Sequence, residues 1–148
     1  MKSAFRFFSS RLLAVLAALL LTLCAAPAAW AQATPKTKVV FQVSDADPAK
    51  WNLALNNIKN VQTDLGAGNV EVELVAYGPG IGILKAESLA GNRVREALGS
   101  GVAVMACENT MQNQKLTKDD MLPGIGYVPA GVVELIKRQQ QGWAYIRP

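Results

Sequence analysis

Short β-branched or apolar runs alternate with amphipathic stretches along most of this chain, and that alternation is what most restricts the folds open to it. Residues 38–44 (KVVFQVS) have the composition of a buried strand. Asp47 and Pro48 supply an N-cap and a first-turn proline. Trp51, Leu55, Ile58 and Leu65 then share one helical face, with Ala54 and Val61 beside them and Gly66 as a left-handed stop. Residues 70–77 alternate at first and end almost wholly apolar, which predicts a strand whose first half lies near a solvated edge. Residues 78–82 (GPGIG) predict a turn. A weaker helical pattern covers residues 88–98, with Leu89, Val94, Ala97 and Leu98 apolar and Gly99 as a stop. Residues 102–106 predict a strand, and the polar stretch after Cys107 a short helix capped by Thr110. Thr117 and Asp120 have capping-box spacing. The chain closes with a predicted strand at 125–128, a helix at 129–141 with Val132, Val133, Leu135 and Ile136 inward and Gly142 as its stop, and a strand at 143–146. Strands and helices in turn imply βαβ units. The predicted fold is α/β, a three-layer sandwich around a mostly parallel sheet of about five strands, and 148 residues suffice for one such domain but not two.

The leading segment carries different information. Lys2, Arg6 and Arg11 precede an apolar core at residues 12–23, and Ala29-Trp30-Ala31 has the small-x-small pattern of a cleavage site, so residues 1–31 read as a secretory signal peptide cleaved after Ala31. The apolar core is shorter than the roughly 20 residues a membrane span requires. A lipoprotein would need a small residue just before its modified cysteine, whereas Leu23 precedes Cys24. The expected organisation is therefore a signal peptide, a linker at 32–37 and an α/β domain at 38–148, exported to the periplasm or beyond and free of the membrane after cleavage. Lys and Arg total 15 against 11 Asp and Glu, a net charge of +4. Without the three leader cations the domain is close to neutral, which argues against nucleic acid as a partner. The chain has no histidine. Histidine-dependent triads, histidine-ligated zinc and histidine acid–base catalysis are excluded.

In an open parallel sheet, sites form beyond the carboxyl ends of the strands. Three segments are expected on that rim: residues 44–47, 78–82 and 107–111. Cys107, the single cysteine left after cleavage, is the one intrinsic nucleophile there. A thiol reacts as its thiolate, so a helix start after Cys107 would activate it, while Glu108 alongside would oppose ionisation. Three uses stay open: chemistry, a small hydrophobe closing a core strand, or a disulfide to a second copy. Gly78, Gly80 and Gly82 could offer backbone N–H groups to an anion, but their spacing fits neither a phosphate loop nor a dinucleotide fingerprint, and chain reversal is the favoured reading. Asp47 reads as a cap, and Asp119 and Asp120 as early-helix charges. With Asp45 they could form an acid–base or metal group, but no metal site is predicted. Tyr77, Trp143 and Tyr145 read as core packing, and Lys137 and Arg138 as cations meeting a helix C-terminus.

Six segments together resemble one family: residues 39–44 (VVFQVS), 55–58 (LNNI), 75–80 (VAYGPG), 106–111 (ACENTM), 128–135 (VPAGVVEL) and 142–148 (GWAYIRP). In order and content they resemble the DsrE/DsrF-like proteins over residues 38–148, most of all the exported branch that carries a signal peptide. The resemblance implies a flavodoxin-like α/β domain that assembles as a trimer or hexamer and needs no cofactor. It further implies that a cysteine in the loop after a central strand accepts sulfane sulfur as a persulfide and exchanges it with a donor or acceptor protein. Cys107 occupies that loop and is the candidate nucleophile and sulfur carrier, with Asn109, Thr110, Gly78 and Gly80 as candidate binding residues around it. Sulfur-relay relatives commonly carry two cysteines three residues apart; here Thr110 stands where the second would be, followed by Gln112-Asn113-Gln114. With no histidine, proton transfer falls to water or to Glu108. The alternative expectation is a non-catalytic oligomeric module that holds a small ligand or partner on the same rim and keeps Cys107 as a buried structural residue.

Overall fold

The computed structural model of the chain describes residues 35–148; the predicted signal peptide lies outside them. Among the described residues no helix is long and apolar enough to cross a membrane. The chain runs β1 (Thr37–Val43), α1 (Pro48–Leu65), β2 (Val70–Ala76), a 3-10 helix (Gly78–Leu84), α2 (Gly91–Gly99), β3 (Ala103–Cys107), α3 (Glu108–Asn113), a 3-10 turn (Lys118–Asp120), β4 (Gly126–Val128), α4 (Gly131–Gln140) and β5 (Ala144–Ile146). All five strands are parallel, in the order β4-β3-β2-β1-β5. The expected α/β architecture is the observed one.

Three connections step from β1 to β4 in one direction, and the last returns to set β5 on the far side of β1. Right-handed crossovers then place the first group of helices on one face and α4 on the other. The strand register separates two cores accordingly. Val39, Phe41 and Val43 of β1, Val72, Leu74 and Ala76 of β2, and Val104 and Ala106 of β3 pack with Trp51, Ala54, Leu55 and Ile58 of α1 and with Val94 and Ala97 of α2. The second core is thin: Val40, Val75 and Leu135, with half-buried Tyr77, Met105 and Trp143 around them.

Local chemistry explains most boundaries. Asp47 caps α1 by accepting the Ala49 N–H at 2.8 Å, Pro48 occupies the first turn, and Gly66 at φ 83° ends the helix. The expected turn at residues 78–82 is instead the start of a 3-10 helix that continues to Leu84, because Ile81, Ile83 and Leu84 are all drawn into the larger core. Gly80 lets this segment cross the end of β1, where a Cβ would stand 2.4 Å from the Val43 carbonyl oxygen. The second helix starts at Gly91 rather than near Ser88, which leaves Leu89 88% exposed, and Gly99 lies within it, the left-handed residue being Gly101. Leu65 of α1, expected inward, is exposed.

Two further differences concern the α4 face. Val132, Val133 and Ile136, expected to point inward, are exposed, and Leu135 alone of that apolar set is buried. A single ten-residue helix over a five-stranded sheet has only one narrow stripe to bury. And β2, expected to begin near a solvated edge, is the central strand: Glu71 is exposed as the alternation suggests, but Glu73 is buried in an ion pair. Glu73 is 1% exposed, with Arg138 Nη2 of α4 at 2.6 Å from its Oε2. Arg138 Nε lies 2.9 Å from Glu134 Oε1, an ionic contact without hydrogen-bond alignment, and the guanidinium stacks 4.8 Å from the Trp143 ring. Arg138, expected as a dipole-facing cation, is instead what ties α4 to the sheet. Burial pushes the Glu73 carboxyl above its ordinary range, and Arg138 opposes that rise. Removing one partner of a buried pair strands the other charge. Arg138→Ala is therefore expected to cost about 3 kcal/mol in urea unfolding, the low end of the usual loss, because a quarter of the Arg138 side chain is exposed; an unchanged midpoint would count against the pair as an anchor.

Candidate functional site

β3 delivers Cys107 to the carboxyl rim, and α3 begins at the very next residue, so Cys107 is itself the residue preceding the helix. Thr110, expected as the cap, lies inside α3. Ala106 faces the larger core, so the Cys107 side chain turns to the α4 side of the sheet. Ala76 pairs with Ala106 in register, which brings Tyr77 alongside Cys107. Across the rim, Cys107 pairs with Val128, whose strand runs through Pro129 and Ala130 into α4.

Two chain segments therefore meet at the sulfur. The Thr110 hydroxyl and the backbone N–H groups of Gly131, Thr110 and Asn109 lie around Cys107 and favour its anion. The Asn109 N–H is shared with the Pro129 carbonyl at 3.1 Å. The Thr110 hydroxyl is held in turn, because its oxygen accepts the Gly78 N–H at 2.9 Å. Gln114 Nε2 donates to the Gly78 carbonyl at 3.2 Å and fixes the same corner. Cys107 is only 4% exposed. Burial pushes its thiol pKa up, but the Thr110 hydroxyl and the amides of Gly131, Thr110 and Asn109 outweigh that effect and leave the thiol more acidic than usual. The groups that lower the pKa are all neutral.

Of the residues singled out from sequence, Asn109 and Thr110 lower the thiol pKa of Cys107, and Gly78 is tied to Thr110 by its N–H. Gly80 does not join them. Its N–H donates to the Ser44 and Tyr77 carbonyls, each at 3.1 Å, and its role is close packing. The aspartates stay apart: Asp47 caps α1, Asp120 accepts from the Thr117 N–H and hydroxyl at 2.7 and 2.8 Å, and Asp45 pairs with Lys50 at 3.2 Å and Arg147 at 3.7 Å. Tyr145, expected as core, is partly exposed and donates its hydroxyl to Gln42 Oε1 at 2.5 Å, while Gln42 Nε2 donates to Ser44 Oγ at 3.0 Å. This polar chain lies at the point where the strand order reverses, beside β1 and β5.

Gly131 is the residue sequence reading missed. Its signal was the small Ala130-Gly131 pair after a short strand: a Cβ at 131 would stand 2.9 Å from the Tyr77 Cβ, so only glycine lets α4 start this close to Tyr77. A hollow of about 190 Å³ flanks α3, lined by Glu108, Met111, Gln112, Leu116, Thr117, Lys118 and Tyr127. Cys107 is not part of its wall.

The depressed thiol pKa has a signed consequence. Between the lowered value and the ordinary one of about 9, the folded chain binds fewer protons at Cys107 than the unfolded chain. The stabilisation is complete above the ordinary value and is lost as pH falls through the lowered one. The stability difference between wild type and Cys107→Ser, measured by urea unfolding, is expected to grow in favour of wild type from about pH 6 to about pH 9; a flat difference would contradict the donor geometry.

The comparisons agree with this architecture. The chain is similar over 76% of its length to the whole of MTH1491, a protein of unknown function from Methanobacterium thermoautotrophicum, with 37% identity and a TM-score of 0.73. It shares its fold with BT1422, a conserved protein of unknown function from Bacteroides thetaiotaomicron, at 14% identity and a TM-score of 0.62 over 75% of this chain and 94% of that one. The E. coli ychN protein is similar at 11% identity and a TM-score of 0.61, over 78% of this chain and all of that one. Among curated proteins no significant match is found. The model of the DsrE/DsrF-like family matches residues 37–148. From its first strand to its last residue, the chain belongs to the DsrE/DsrF-like family.

Proposed function

We propose that the protein handles sulfur in the periplasm or another exported compartment, with Cys107 as a persulfide-forming carrier. The observation that supports this most is the place of Cys107 at the carboxyl rim, directly before α3 and beside the start of α4, where neutral hydrogen-bonding groups make its thiol more acidic. In the transfer step, the Cys107 thiolate attacks the outer sulfur of a persulfide or polysulfide donor. A new S–S bond forms at Sγ, the donor's S–S bond breaks, and the donor leaves as a thiolate with the electron pair. The reaction is redox-neutral and needs no cofactor. The donors that hold the thiolate also suit the terminal anion of the product. Proton exchange falls to water or to half-buried Glu108 at the start of α3. Because the thiol is nearly covered, exchange with a donor or acceptor protein requires the corner formed by Asn109, Thr110 and Gly131 to open. The leader at residues 1–31 supports export.

Burial favours a second reading, a non-catalytic oligomeric module in which Cys107 is structural and the rim holds a ligand or partner. Intact mass after incubation with polysulfide separates the two. The carrier reading expects a gain of one sulfur atom that Cys107→Ser abolishes; no gain, with thiol labelling only after denaturation, favours the module.

Self-association enters both readings. Val132, Val133 and Ile136 form an exposed apolar strip on α4, wider than the thin core beneath it needs. Packing of this strip against further copies would give the trimer or hexamer the family resemblance implies. Light scattering is expected to report such an assembly, and Ile136→Asp to dissociate it; a wild-type monomer at micromolar concentration would remove the proposal.

A further inference from the structure

We propose that Glu73 and Arg138 are a positioning pair for Cys107, fixing α4 on the sheet in the register that brings its first residue, Gly131, beside Cys107 through the Cys107–Val128 pairing and the Gly131–Tyr77 contact. The inference deepens the carrier reading and rests on it for the use the thiolate is put to.

The grip of α4 on the sheet is thin. Gly131 and Leu135 are its buried residues, and Val132, Val133 and Ile136 face outward. Leu135 meets Val40 and Val75. That contact is apolar and non-directional, so it opposes detachment far more than sliding or rotation. Direction comes from Arg138. Its guanidinium is held on three sides: by Glu73 Oε2 at 2.6 Å, by Glu134 Oε1 at 2.9 Å, and by the Trp143 ring at 4.8 Å.

Glu73 is a fixed post, since it sits on the central strand with neighbours on both sides and is almost fully buried. Placing a carboxylate there is costly, and well-packed apolar side chains would hold α4 as firmly. What an apolar pair would not supply is a defined register. Seven residues separate Arg138 from Gly131, a rise of roughly 10 Å along a stiff helix. A displacement at Arg138 is therefore carried to the N-terminus, where hydrogen bonding to sulfur is sensitive to distance and angle. The Gly131 contact with Tyr77 leaves no slack on that side.

The charged and titratable groups near each end are few. Arg138 and Glu134 of α4 surround Glu73, and the Lys38–Glu71 pair, at 3.6 Å, lies one same-face position back along β1 and β2. Near Cys107 stand Tyr77 of β2 and Glu108 of α3. Neither end shares a titratable residue with the other. Coupling between them must run through α4 itself.

The test is the ultraviolet titration of the Cys107 thiolate, taken in each background as the difference from the same protein carrying Cys107→Ser. Glu73→Gln and the double substitution Glu73→Leu/Arg138→Met are compared with wild type, using only variants whose circular dichroism matches it. Losing one N–H donor is expected to raise the thiol pKa by about one unit, a roughly tenfold lower thiolate fraction below both values. The double variant is expected to stay folded, with unfolding resistance at or above wild type, and still to show the shift. Arg138→Lys, which keeps the charge but not the fork, is expected to shift less. If Glu73→Gln fails to fold, the double variant decides. A wild-type titration in the folded double variant would overturn the proposal. Polysulfide loading is scored separately: a shifted titration in a protein that takes up no sulfur would sink the carrier reading and leave the positioning pair standing, and the reverse result would do the opposite.

Discussion

A thiol set at the end of a parallel strand is pulled in two directions, and the balance at Cys107 organises the rest of the site. Burial raises the cost of its anion. Against that, the Thr110 hydroxyl and the first amides of α3 and α4, which have no acceptor within their helices, lower the cost of the anion. Helix starts collect at this rim because every strand in the sheet runs the same way. The polarity of the sheet therefore supplies the donors. The details of residues 107–110 and 128–131 aim them.

The two faces of the sheet are built to different standards. Behind α1 and α2 lies a broad apolar core, in which Phe41, Ile58, Leu74 and Ile83 are wholly enclosed. That face provides the bulk of the hydrophobic stabilisation, and through Met111 it anchors α3, which carries Asn109 and Thr110. The α4 face has few apolar contacts and instead carries Glu73, Arg138, Trp143, Gln42 and Tyr145 in specific polar arrangements. The two faces thus meet at Cys107: the larger core seats α3 on one side of it, and the polar α4 face seats the start of α4 on the other.

Much of this was legible in the sequence. The strand and helix alternation gave all five strands to within a residue or two at each end, and the Asp47-Pro48 start, the Gly142 stop and the Thr117–Asp120 box were read from local rules that tertiary structure left alone. The failures have one physical cause, which is that a pattern reports polarity and not what meets it. Glu73 looked solvated because its neutralising partner is 65 residues away. Val132, Val133 and Ile136 looked buried because nothing local records that, among the described residues, one helix alone covers that face. Cys107 was found as a candidate, and Asn109 and Thr110 with it, because they are its neighbours in sequence. The Gly131 amide, across the sheet rim, left only the trace of a glycine where a helix begins.

The central claim is that neutral hydrogen bonds make a buried Cys107 more acidic than a free thiol. The most direct measurement is the thiol pKa of Cys107 in the folded protein against that of the same residue in the denatured chain, each taken as the absorbance difference from Cys107→Ser. The account predicts a lower value when folded. An equal or higher value would mean that burial wins and that the sulfur is only a core atom.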